Sequence, residues 1–287
     1  MPELPEVETI KRDLDSRVLN KKIKTIWIEP SFSKKILPST EEFLNLIGKQ
    51  FKKLNRKAKL LYFETNDNRF LLCHLKMTGQ LVYRSETGKT VSGGHAITSV
   101  DTVPNKFTRV VFTFKDKSKL YFNDLRKFGY FKFTNNNELE KELSKYGIDA
   151  LDRKMDFAMF TGILQKRKNY RIKQFLLTQD LISGLGNIYA DEALFASGIR
   201  PMRRIMTLKK AEKEKLFHSI KNILRLGIEH GGTSVNTYVN GTGTKGDFQN
   251  LLKVYGKSGE PCSDCGTIIK KIKLAGRTAS FCARCQK

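Results

Sequence analysis

No stretch of the 287 residues is an apolar run of the ~18 needed to cross a bilayer. Neither end carries a lipidation signal. The opening Met1-Pro2-Glu3-Leu4-Pro5-Glu6 has neither a basic nor an apolar segment, so no secretory signal peptide is expected. Cysteine is scarce: five in a chain this long exclude a disulfide framework, and four fall into spaced pairs that suggest metal in a reducing compartment. There are no internal repeats. Acidic residues are also few, 29 Asp plus Glu against 53 Lys plus Arg, for a formal net charge of +24. A field of that strength asks for an anionic partner, and nucleic acid leads because basic residues spread along the chain displace many counterions. A membrane surface is not expected.

What is present is enough for a sizeable core. Hydrophobic residues make up 39% and Phe alone numbers 19, which excludes a disordered chain. The length suits two domains and an appendage.

Residues 5 to 19 read as a helix, because Val7, Ile10, Leu14 and Val18 recur at helical spacing. Short β-type runs follow at Ile23 to Glu29, Leu60 to Thr65, Phe70 to Leu75, Gln80 to Arg84, Arg109 to Lys115, Lys119 to Asn123 and Tyr130 to Thr134. Their number and spacing predict a β-sandwich or barrel. After Asn135-Asn136-Asn137 the pattern turns helical: Leu139 to Tyr146, Phe157 to Lys166, Ile172 to Thr178, Ile188 to Ser197 and Leu208 to Glu229, the last with Thr207 as N-cap and Gly231-Gly232 as its end. The fold class is therefore α+β. The expected organisation is an N-terminal sandwich domain over 1–134 and a linker over 135–150. A helical domain over 151–256, with a loop at 231–249, and a separate cysteine module over 257–287 complete it. Cys73, inside Phe70-Leu71-Leu72-Cys73, reads as a buried, inert thiol.

The sharpest local signal is Cys262-x-x-Cys265 followed, after 16 residues, by Cys282-x-x-Cys285. Two such knuckles close a tetrahedral site with four thiolates and no open position, so one structural zinc ion is expected. Lys270, Lys271, Lys273 and Gly276-Arg277-Thr278 between them predict a β-hairpin with a basic tip, folded by the metal.

The N-terminus is the second signal. Removal of an initiator Met before Pro2 would leave a free secondary amine, titrating near ~8 before the following helix and basic neighbours lower it. Such an amine is a nucleophile able to form an iminium with a sugar C1′, and Glu3 and Glu6, three apart, suit an acid and a base beside it. A Pro-Glu helix start is also common with no such role.

Pro2-Glu3-Leu4-Pro5-Glu6-Val7-Glu8-Thr9 resembles the N-terminal signature of the bacterial formamidopyrimidine-DNA glycosylase family. The resemblance continues in order through Arg56-Lys57-Ala58-Lys59, His74-Leu75-Lys76-Met77-Thr78-Gly79, Asp124-Leu125-Arg126-Lys127-Phe128-Gly129, Gly184-Leu185-Gly186-Asn187-Ile188-Tyr189-Ala190, Gly231-Gly232-Thr233 and Val254-Tyr255-Gly256. It implies a bifunctional glycosylase and abasic-site lyase of base-excision repair. Its substrates would be 8-oxoguanine and formamidopyrimidines in duplex DNA. Pro2 then matches the nucleophile, Glu3 the carboxyl group that protonates the opening sugar, Glu6 a supporting carboxylate and Lys59 a phosphate-binding lysine. Met77, Arg126 and Phe128 resemble the triad inserted where the base flips out. Lys173 and Asn187 match phosphate-binding positions of a helix-two-turns-helix element, Arg277 a phosphate-binding arginine of the zinc hairpin, and Lys245 a lysine of the loop over the flipped base. The resemblance also implies a monomer in a bacterial cytoplasm, associated with the nucleoid through DNA.

Two stretches depart from the family pattern. Phe107 and Arg109 stand in Lys106-Phe107-Thr108-Arg109 where histidines are common, so one backbone contact of the family is either lost or replaced by Arg109. Lys76 stands where glycine is common and is expected to add a phosphate contact or alter partner-base preference. Rival readings are a relative directed at oxidised pyrimidines, which the triad disfavours, and a non-catalytic zinc-dependent DNA-binding protein.

Overall fold

The computed structural model describes residues 1–95, 102–233, 238–239 and 246–287. In chain order its elements are α1 (Leu4–Val18), β1 (Ile23–Ile28), β2 (Ile36–Leu37), α2 (Thr40–Leu44), β3 (Phe51–Lys57), β4 (Leu60–Thr65), β5 (Phe70–His74) and β6 (Gly79–Arg84). Then come β7 (Thr90–His95), β8 (Thr108–Phe114), β9 (Lys119–Asp124), β10 (Tyr130–Thr134), α3 (Asn136–Leu143), β11 (Ile148–Asp149), α4 (Phe157–Gln165) and α5 (Ile172–Leu176). The remainder are β12 (Ile182–Ser183), α6 (Asn187–Ser197), α7 (Lys210–Glu229), β13 (Tyr238–Val239), β14 (Lys270–Leu274) and β15 (Arg277–Phe281). They fall into two compact units, Met1–Ser144 with Ile228–Gln249, and Lys145–Gly227 with Asn250–Lys287. The described residues among 228–249 thus group with the sheet-rich unit, whereas the sequence pattern assigned 231–249 to the helical region.

The first unit is a sandwich. One sheet runs β1-β8-β9-β6-β7-β13 and the other β2-β10-β5-β4-β3. Inward-facing phenyl rings join them: Phe131 of β10 meets Phe122 of β9 at 4.9 Å and Phe112 of β8 at 5.9 Å, both edge-on. Each buried ring contributes on the order of 1.5–3 kcal/mol. Helix α1 lays Val7, Ile10, Leu14 and Val18 into the same core, as its spacing predicts.

Strands β3 and β7 escape the periodicity. In β3 only Phe51 and Leu54 are buried, and a bulge between Phe51 and Lys53 breaks the alternation. In β7 the glycines are steric requirements. A Cβ on Gly93 would lie 2.4 Å from Ile10 Cγ1, and one on Gly94, at φ +120°, would lie 2.5 Å from the Gly79 carbonyl.

In the second unit, α6 is preceded by Gly186 as its N-cap and closed by Gly198 as its C-cap in the left-handed region (φ +73°). Helix α7 begins later than expected. The Lys209 amide donates to Glu212 Oε2 at 2.7 Å and the Lys209 carbonyl accepts the first helical bond, while the Thr207 hydroxyl turns back to the Arg204 carbonyl. Thr207 is therefore not the N-cap. The hairpin β14–β15 closes through Ala275-Gly276, both at positive φ, a two-residue turn matched to the strand twist. The cysteine module does not stand apart. Cys262, Ile269 and Cys282 pack with Phe195 of α6 and Val254, and Arg200 donates to the Gln286 and Ala283 carbonyls.

Candidate active site and nucleic-acid interface

The chain start is built around carboxylates. Pro2 is buried beneath a half-exposed Met1, and Glu3 takes extended backbone geometry as the N-cap of α1. Glu6 Oε2 accepts the Glu3 amide at 2.7 Å, and its Oε1 accepts the Thr233 amide at 2.8 Å. Glu6, 2% exposed, thus ties the helix start to the residue that follows Gly231-Gly232. Pro2 immediately precedes the N-cap of α1 and so lies at the positive end of that helix.

Lys59 sits in the two-residue turn between β3 and β4 and is 6% exposed. Arg56 braces that turn. Its Nε donates to Glu8 Oε2 at 2.8 Å and its Nη1 to the Ala58 carbonyl at 2.9 Å, so the turn is fastened to α1. Burial alone would raise the Glu8 pKa; Arg56 and then Arg12 hold it below the usual carboxylate range.

His74, at the end of β5, has no role of its own in the sequence motif, yet it belongs to this cluster. Its Nδ1 accepts the Lys76 amide at 3.0 Å, which leaves the ring proton on Nε2. Burial, together with the charges of Lys76 and Lys59, pushes its pKa down to about 3. A neutral N–H donor beside two ammonium groups suits an anion such as phosphate. A lone histidine gives no sequence signal for this; the burial creates it.

Met77 and Phe128 expose 42% and 44% of their surface on the loops after β5 and β9. Arg126 links them: its Nη1 donates to Met77 Sδ at 3.3 Å and its guanidinium carbon lies 4.5 Å from the Phe128 ring centre. The structure therefore brings all three together on one surface. Lys76 adopts φ +51°, the conformation glycine favours, and places Nζ 5.5 Å from the Tyr130 ring centre.

Of the two alternatives for Arg109, replacement of the backbone contact is not supported. Arg109 is 7% exposed, donates through Nε to the Asp124 carbonyl at 2.9 Å and lies 3.6 Å from Glu29 Oε2. It is an internal brace, because its position on β8 points it under the β9 loop. Cys73 is buried as expected, its thiol pushed up by burial and by the charge of Asp124.

In the second unit Asn187 opens α6, with its Oδ1 buried and lacking a partner among the described residues. Gln179 shapes the preceding turn, accepting the Gly184 amide at 3.0 Å and donating to the Leu185 carbonyl at 2.8 Å. Arg277 is exposed beside the hairpin tip. Lys173 departs from its expected role. It is 1% exposed, and its Nζ donates to Asp191 Oδ1 and the Thr278 carbonyl, each at 2.6 Å, so the ammonium is held inside the unit rather than presented at its surface. Lys245 lies outside the described residues.

The sulfur atoms of Cys262, Cys265, Cys282 and Cys285 lie within 4.8 Å of one another, with Cys265–Cys282 at 3.4 Å and Cys262–Cys285 at 4.0 Å. Zn–S bonds of ~2.3 Å in a tetrahedron put sulfurs ~3.8 Å apart. The four thiols fit one structural zinc ion.

Three family models cover the chain: the formamidopyrimidine-DNA glycosylase N-terminal domain over residues 1–131, the formamidopyrimidine-DNA glycosylase H2TH domain over 146–239, and the zinc finger found in FPG and IleRS over 259–287. The chain is 38% identical to the formamidopyrimidine-DNA glycosylases of Desulfitobacterium hafniense and Listeria innocua, each covering 100% of both chains. Among solved structures it resembles a Lactococcus lactis FPG point mutant in complex with Fapy-dG-containing DNA, with a TM-score of 0.87, 34% identity and 100% of both chains covered. It resembles equally the Lactococcus lactis Fpg bound to DNA containing an abasic site, at the same TM-score and identity.

Proposed function

Because the chain belongs to the formamidopyrimidine-DNA glycosylase family, we propose that it excises 8-oxoguanine and formamidopyrimidines from duplex DNA and cuts the abasic strand, with the Pro2 amine as nucleophile. The observation that supports this most is the chain start: Pro2 at the positive end of α1, beside the Glu3 carboxyl and the Glu6 carboxylate.

Once Met1 is removed, the Pro2 nitrogen attacks C1′, the glycosidic bond breaks, and the base leaves with the bonding pair and takes up the proton that the Pro2 nitrogen gives up. Glu3 protonates the ring oxygen as the sugar opens, which leaves a cationic iminium on Pro2. The iminium acidifies C2′–H. Loss of that proton expels the 3′ phosphate, and a second elimination expels the 5′ phosphate. Glu6 holds the Glu3 amide in place throughout. Lys59 and His74 supply a cation and a neutral donor for phosphate near the reacting sugar.

Met77 and Phe128 have the exposure and shape to wedge between bases, and Arg126 the donors to hold the orphaned partner base. Asn187 and Arg277 provide phosphate contacts, with Lys245 over the flipped base. Zinc folds the hairpin that carries Arg277 and enters no chemical step. Among the described residues no helix is long and apolar enough to cross a membrane. A monomer acting in a bacterial cytoplasm completes the reading.

Borohydride trapping on duplex DNA containing 8-oxoguanine is the test. The expected result is a covalent adduct mapped to Pro2. Absence of an adduct from Met-processed, zinc-loaded protein overturns the mechanism, and an adduct on a lysine overturns the nucleophile. A stronger response to oxidised pyrimidines in the same lesion panel would favour the pyrimidine-directed relatives.

A further inference from the structure

Asp124, at the end of β9, is fully buried. Its carboxylate is bonded to Arg126 and to the residues that directly follow Met77 and Phe128. Oδ1 accepts the hydroxyl of Thr78, the residue after Met77, in a short bond, and the Arg126 amide at 3.2 Å. Oδ2 accepts the amide of Gly129, the residue after Phe128, at 2.7 Å. The Thr78 hydroxyl in turn accepts the Arg126 amide at 3.1 Å, which cross-ties the two loops.

The packing around this carboxylate is tight. A Cβ on Gly129 would lie 2.6 Å from the Phe122 ring and 3.1 Å from Asp124 Oδ2. The Asp124 main chain is also held, its carbonyl by Arg109 Nε and its amide by the Phe107 carbonyl, each at 2.9 Å. Arg109, which makes no outward contact, therefore has a part in the same device.

We propose that Asp124, with Thr78 as its relay, is the positioning residue that holds the loops of Met77, Arg126 and Phe128 in one fixed arrangement before DNA arrives. This rests on the reading of those three side chains as the group that enters the duplex. The physical reason is entropic. Two exposed loops would otherwise pay to order themselves while they also unstack a base pair, and a buried carboxylate satisfied by three donors removes that cost beforehand. An amide in place of the carboxylate would turn an NH₂ donor toward one of the donors it now accepts from, so Asp124→Asn breaks the tie without changing shape.

The test compares two substrates for borohydride trapping by the full, Met-processed, zinc-loaded chain. One is duplex 8-oxoguanine opposite cytosine. The other is a preformed abasic site opposite a one-nucleotide gap, where no base pair opens and no partner base needs support. Asp124→Asn and Thr78→Val are expected to trap the duplex about 10-fold more slowly or worse, and to leave the gap substrate within about twofold. Thr78→Ser, which keeps the hydroxyl, restores the duplex rate. Thr78→Val carries the test alone should Asp124→Asn not fold. Equal losses on both substrates mean a general structural role and overturn the proposal. Wild-type duplex rates in both variants, while Met77→Ala and Phe128→Ala lose duplex trapping, overturn it and leave the insertion reading standing. Full duplex trapping in Met77→Ala and Phe128→Ala overturns both.

Discussion

Lys173 Nζ and Asp191 Oδ1 stand 2.6 Å apart, and each side chain is only 1% exposed. The pair fastens three elements. Lys173 belongs to α5 and Asp191 to α6, while Nζ also donates to the Thr278 carbonyl and Asp191 Oδ2 accepts the Ser280 amide, both on β15 beside Arg277. Burial pushes the Asp191 carboxyl up to about 6 against the pull of the Lys173 ammonium.

Removing one partner strands the other in the interior. Lys173→Met is expected to cost about 3–5 kcal/mol in denaturant unfolding, with a milder loss when Asp191 is made apolar as well. A phosphate contact has a different signature. In DNA titrations against salt, Arg277→Ala should lower the slope of log K on log[salt] by about 0.9, while Lys173→Met leaves it unchanged. Normal stability together with a lowered slope in Lys173→Met would restore the phosphate role.

This pair also marks where sequence reading stops. Helix α1 shows in four apolar residues at helical spacing, β4 and β10 in runs whose bounds the structure reproduces, and the zinc site in two short cysteine pairs. Each is a short-range signal. Lys173, by contrast, has partners 18 and 105 residues away, and the Arg126–Met77 contact spans 49. No periodicity reports such pairings. The triad was legible only through family resemblance, and that same resemblance assigned Lys173 a phosphate that its burial opposes. Arg109 stayed open between two readings for a similar reason, since its acceptor, the Asp124 carbonyl, lies on the neighbouring strand. Strand β7 was missed because close approach to Ile10 and Gly79 selects glycines, which sequence reading scores as breakers.

His74 predicts an acid sensitivity. Its folded pKa of about 3 lies below the ordinary value of 6.5, so the folded state binds fewer protons than the unfolded state between those values. The stability it secures is therefore complete above pH ~6.5 and lost as pH falls toward ~3, at up to about 1.4 kcal/mol per pH unit. Urea unfolding at a series of pH values should show this slope in the wild type and a flatter one in His74→Gln. Parallel slopes in the two proteins would assign the acid sensitivity elsewhere.

Zinc removal should act on DNA binding before it acts on the sandwich. The hairpin is short, and Cys262 and Cys282 form part of its small core with Ile269 and Phe195. Without metal that core loses its closure. Chelation, or Cys282→Ser, is expected to remove one zinc per chain, to release amide exchange across β14 and β15, and to weaken duplex binding with a salt slope lower by about 0.9, as in Arg277→Ala. The amides of β4 and β10 should stay protected. Exchange that rises equally in all four strands would make the zinc hairpin a determinant of the whole fold.

The chemistry of Pro2 distinguishes a blocked amine from a merely altered one. A secondary amine gives an iminium with no N–H, so the adduct cannot lose its charge by deprotonation at nitrogen and stays available as an electron sink for both eliminations. Pro2→Gly keeps an α-amine after Met1 is removed, but its adduct deprotonates to a neutral imine, and the glycine loses the ring that fixes φ. It should bind lesion DNA within a few-fold of wild type and cut it on the order of 10²–10³-fold more slowly. A chain that retains Met1 has no free amine at Pro2 and should give no adduct there, while the Asn187, Arg277 and triad contacts still hold DNA. Mass spectrometry of the intact N-terminus, read beside the trapped fraction, checks this directly: the trapped fraction should not exceed the processed fraction. An adduct from unprocessed chains would place the nucleophile on another residue.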